Sequence, residues 1–80
     1  MFAIVYKEDQ VPMCARLHES GPDAIVTWDV EPNARQFLES KGAEFVAAYT
    51  VVAITDDSLR DMARSMGVKE EDVELIPFPA

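Results

Sequence analysis

The chain has 80 residues, with 15 Asp and Glu against 7 Lys and Arg, a formal net charge of −8, and a single cysteine. A length of this order is one short domain that buries only about 60–65% of its unfolded surface, and one cysteine cannot form an intramolecular bridge, so close packing or a partner must supply the rest. Phosphate-backbone binding relies on Lys and Arg displacing counterions, but Lys7, Arg16, Arg35, Lys41, Arg60, Arg64 and Lys69 are scattered among acids, which argues against nucleic acid or an anionic membrane as partner.

At the N-terminus Phe2, Ile4 and Tyr6 alternate as in a half-buried strand. "MFAIVYKED" turns acidic by residue 8, without the basic and apolar regions of a secretory signal, and the cytoplasm is the expected compartment.

Residues 11–18, "VPMCARLH", admit two readings. As a strand, Val11, Met13, Ala15 and Leu17 share one face and Pro12, Cys14, Arg16 and His18 the other, with "SGPD" as the following turn. As a helix, Pro12 sits in the first turn, Gly21-Pro22 is the stop, and the apolar face narrows to Met13, Cys14 and Leu17. The complete alternation favours the strand. The choice matters because this stretch holds the only cysteine and the only histidine. In a helix, Cys14 and His18 would lie about 5–6 Å apart at Cβ, close enough for a thiolate–imidazole pair. In a strand they are about 13 Å apart, four rises of ~3.3 Å. Glu19 or Asp23 could orient the imidazole, but no oxyanion site is signalled. No catalytic residue is expected.

The stretch "DAIVTWDV" alternates Ala24, Val26, Trp28 and Val30, a further strand with Trp28 in the core or serving as an interface anchor. "PNARQFLESK", 32–41, predicts a helix with Pro32 in its first turn, Gly42 as its stop, Ala34, Phe37 and Leu38 on the apolar face, and an Arg35–Glu39 pair. "FVAAYTVVAI", 45–54, reads as a strand buried on both faces; a competing reading runs the helix past Gly42 to Tyr49 and leaves "TVVAIT" as strand. This apolar run is half the ~20 residues of a membrane-spanning helix, and no membrane insertion is expected.

"DDSLRDMARSM", 56–66, predicts the clearest helix. Leu59, Met62, Ala63 and Met66 form one stripe, Thr55 or Asp56 caps the start, and Gly67 with Val68 closes the end. "KEED" makes a polar turn before the last strand, "VELIPF", which Pro77 and Pro79 end.

These elements predict a single α+β domain over 1–80. The expected architecture is a small single-layer mixed or antiparallel sheet of four to five strands, with two helices packed mainly on one face. The order is β-β-β-α-β-α-β, or β-α-β-α-β-α-β if 11–18 is helical. One Cys and one His do not make a zinc site, and neither "DDSLRD" nor "KEED" is a calcium loop. Each glycine sits at an element boundary, so no phosphate-cradling loop is present; no metal or cofactor is expected.

Two short helices cover one face of such a sheet, and an uncovered apolar face marks an interface. The expected function is therefore a small acidic module that binds or regulates another protein, with a basic protein or a second copy as partner. Candidate interface residues are Trp28, Tyr49, Val51 and Phe78. A dimeric regulatory domain holding a small non-anionic metabolite is the alternative. Least favoured is a small enzyme with an inter-subunit site using Cys14 or His18.

Overall fold

The computed structural model describes residues 1–16 and 23–78. Strand β1 (Phe2–Tyr6) belongs to a two-stranded sheet and is bridged along its other edge to a separate three-stranded one, so the five strands form two small sheets where the sequence predicts a single sheet. On one side it pairs antiparallel with β4 (Tyr49–Ala53), Ile4 opposite Val51. On the other, Phe2 and Trp28 exchange backbone hydrogen bonds of 2.8 Å, and the Met13 amide donates to the Ile4 carbonyl at 2.8 Å. Met13 passes the connection on, since its carbonyl accepts from the Val26 amide at 3.0 Å. The second ladder places β3 (Asp23–Thr27) between antiparallel β2 (Cys14–Arg16) and parallel β5 (Glu74–Pro77).

Because successive side chains of a strand point to opposite faces, β1 feeds two cores. Ala3 and Val5 pack with Ile25 and Met62, and with Leu59 and Met66 of helix α3 (Asp56–Met66). Ile4 packs with Trp28, Ala34 and Leu38 beneath helix α1 (Glu31–Ser40), joined by Phe45 of helix α2 (Ala43–Ala48). Ala3, Ile4 and Val5 are fully buried as a result.

The α+β class and the approximate order of elements are as the sequence predicts, with one added helix. The long strand expected over 45–54 is corrected: its first part is α2, and the strand begins at Tyr49. Alanine is the best helix former and occupies 43, 47 and 48, whereas the β-branched residues are concentrated in Thr50, Val51 and Val52. Gly42, at φ +103°, separates α1 from α2, a backbone angle that favours glycine. The expected placement of the helices mainly on one face is corrected too: α1 and α2 cover one face and α3 the other. Arg35 pairs with Glu31 at 2.7 Å instead of Glu39; an acid one turn N-terminal to its base is the better orientation on a helix.

Helix α3 matches its sequence signals closely. The Thr55 hydroxyl accepts from the Ser58 amide at 3.1 Å, and the Thr55 amide donates to Ser58 Oγ at 2.8 Å. Gly67 closes the helix at φ +73°, with the Val68 amide donating to the Ala63 carbonyl at 3.1 Å. One 3-10 turn (Glu70–Asp72), tied to α3 by an Arg60–Glu70 ion pair at 3.6 Å, leads into β5.

Candidate functional site

Strands β3 and β5 are parallel and end side by side. The Phe78 amide donates to the Thr27 carbonyl at 2.8 Å, and Thr27 Oγ1 donates to the Ile76 carbonyl at 3.1 Å. These bonds bring Trp28 and Phe78, 50 positions apart in sequence, into a stack with ring centroids 5.3 Å apart at 21°. Phe37 of α1 completes the cluster, 5.3 Å from Trp28 and edge-on to Phe78 at 4.7 Å. Trp28 is only 5% exposed, while Phe78 is 38% exposed.

Over this apolar floor lies a cleft of about 420 Å³, rimmed by Asp29, Asn33 and Gln36. That volume falls in the range of roughly 300–1,000 Å³ typical of ligand sites. The cleft lies beyond the carboxyl ends of the parallel strands β3 and β5. Asn33, Gln36, Phe37 and Ser40 line it together because the spacing i, i+3, i+4, i+7 puts them on one face of α1. Asp29 supplies the only formal charge among the described lining residues. Nearby, Lys41 Nζ stands 4.8 Å from the Phe37 ring centroid, a cation–π contact. The site therefore offers aromatic surface, two amides and one carboxylate.

The four interface candidates fall into two groups. Trp28 and Phe78 form the cleft together, whereas Tyr49 and Val51 lie on β4. Tyr49 stacks on Phe45 at 4.2 Å and meets Tyr6 edge-on at 5.2 Å beside a shallower hollow of about 330 Å³. The Glu8 carboxylate, by its charge first and then by a hydrogen bond, raises the Tyr6 phenol pKa. Asp29, Asn33 and Gln36 were not singled out by sequence reasoning, and Phe37 was read only as core. The available signal was the Asn33-Gln36-Phe37-Ser40 stripe beside the apolar one.

Cys14 lies on β2, the strand alternative at that position. Its thiol is half-buried against the Ala3–Met62 core and 3.4 Å from the Pro12 carbonyl. Burial first, and the charge of Asp23 second, push its pKa up, which opposes formation of the nucleophilic thiolate. His18 lies outside the described residues, and so does the Cys14–His18 pairing. Among the described residues no group of three acids, histidines or cysteines is placed to hold a metal ion. No helix there is long and apolar enough to cross a membrane.

In comparisons with known proteins, no family model, no curated protein and no solved structure matches the chain.

Proposed function

We propose that the protein is a small acidic interaction module whose aromatic cleft binds a short segment of another protein. The observation that carries this reading is the Trp28–Phe37–Phe78 cluster: its innermost ring is buried and its outermost is exposed at the cleft. Aromatic anchors in a pocket with a polar rim are the usual energetic centre of a protein interface. The preferred segment has an apolar or aromatic side chain for the floor and an adjacent Lys or Arg for Asp29. The net charge of −8 steers such a basic partner toward the whole molecule.

A second reading, a small-metabolite site, is favoured by the cleft's volume; its described lining residues include no Lys or Arg, so a non-anionic ligand is the better fit. A metabolite that raises Tm in wild type but not in Phe78→Ala would support it.

The peptide reading is tested by selecting a random displayed peptide library on wild-type protein, with counter-selection on Phe78→Ala. Enriched sequences should pair an aromatic or large aliphatic residue with a neighbouring basic one. Asp29→Asn should weaken them most at low salt, where unscreened charge counts most. Peptides that bind Phe78→Ala equally well, or an acidic consensus, would contradict it.

A further inference from the structure

The outer edge of β4 is unlike the other strand edges. Among the described residues β4 pairs with β1 alone, so one side of its backbone has no strand partner. Strand edges are commonly protected by proline, charge or shortness; β5 has Glu74 and Pro77, and β2 is three residues long and ends in Arg16. Strand β4 reads Tyr-Thr-Val-Val-Ala and has none of these.

The groups on this edge can be assigned. The Ile54 amide donates to the Met1 carbonyl and the Lys7 amide to the Ala48 carbonyl, so by antiparallel alternation Thr50 and Val52 face β1 while Tyr49, Val51 and Ala53 face outward. Two of the outward groups are already satisfied: the Tyr49 amide donates to the Phe45 carbonyl, and the Ala53 carbonyl accepts from Ser58 Oγ at 2.9 Å. Four have no hydrogen-bond partner among the described residues: the amides of Val51 and Ala53 and the carbonyls of Tyr49 and Val51.

We infer that this edge pairs with the same edge of a second copy of the chain, antiparallel about a two-fold axis at Val51. In that register each Val51 amide meets the other copy's Val51 carbonyl, and each Ala53 amide meets the other's Tyr49 carbonyl. All four free groups on each strand are used, and the two left out are those already bonded internally. An isologous contact needs such a self-complementary patch. Charge favours the same occupant. No charged residue lies between Phe45 and Thr55, so the paired strands of two chains of net −8 set no like charges directly against each other. Ala53 of β4 and Val46 and Ala47 of α2 extend the uncharged exposed surface. This inference stands independently of the aromatic cleft.

Analytical ultracentrifugation from about 10 μM to about 1 mM, the range in which a small interface becomes populated, tests it. Wild type should move from the 8.9 kDa chain mass toward twice that value, and more readily in salt, which screens like charges. Ala53→Pro removes an outward amide that β1 does not use and should remain monomeric with unchanged circular dichroism. Ala53→Lys, which retains the amide and adds charge, should also be monomeric and keeps the test valid if the proline variant misfolds. Wild type that stays monomeric throughout would overturn the inference. So would association that persists in whichever of the two variants folds, or that weakens with salt. Salt-sensitive capture of poly-lysine at this edge, with no self-association, would assign it instead to a basic partner.

Discussion

Trp28 and Phe78 are stacked on one another yet have different roles. Trp28 is buried against Ile4, Ala34 and Leu38, so Trp28→Ala should cost about 3–5 kcal/mol in urea unfolding, as removal of a core aromatic does. Phe78 is exposed over more than a third of its surface and should cost well under half as much on truncation, while removing the cleft's outer wall. Cys14 gives a second prediction at this scale. A thiol whose pKa is raised by folding holds its proton more tightly in the folded chain. Its stabilising contribution is complete below the unfolded value of about 8.5 and is lost as pH rises through the folded one. Urea stability should therefore fall as pH rises above that unfolded value, and less steeply in Cys14→Ala. Iodoacetamide should modify Cys14 slowly at neutral pH; rapid modification there would contradict the assignment. The sequence singled out Trp28 and Phe78 as separate residues. Their meeting depends on the parallel pairing of β3 with β5, a contact between distant segments that no local pattern encodes.

At the scale of elements, the two helical regions show what makes a helix legible. In α3 the apolar stripe, the Thr55 cap and the Gly67 stop all indicate the same boundaries, and the structure has those boundaries. Each end is testable. Thr55→Ala should cost about 1 kcal/mol through loss of the cap. Gly67→Ala should cost about 1 kcal/mol because a Cβ is unfavourable at positive φ. Thermal unfolding of both reads these losses, and an unchanged Tm in either would contradict the capping described here. By contrast, "AEFVAA" is apolar over most of its length and too short for a helical period to stand out. What favours a helix there is partly local, since Phe45 stacks on Tyr49 one turn on and the Tyr49 amide closes the last turn on the Phe45 carbonyl, and partly tertiary, since Phe45 packs against the Ile4–Trp28 core. The competing sequence reading came closer at Tyr49 but did not break the helix at Gly42.

For the whole molecule, the covering of both sheet faces alters the functional argument. An open apolar face was the expected basis for partner binding, but α3 lies on one face and α1 with α2 on the other. Which face a helix takes is set by the connections around it, and its own apolar stripe does not encode that choice. Binding surface must then be sought at ends and edges: the cleft beyond β3 and β5, and the free side of β4. The central claim, that the cleft is the binding site, is tested most directly by the emission of Trp28, the sole tryptophan. A basic–aromatic peptide from the selection should change that emission saturably in wild type. Phe78→Ala should raise its Kd at least about tenfold, equivalent to ~1.4 kcal/mol. Binding of equal strength in wild type and Phe78→Ala, with Trp28 emission unmoved, would place the partner elsewhere and contradict the account.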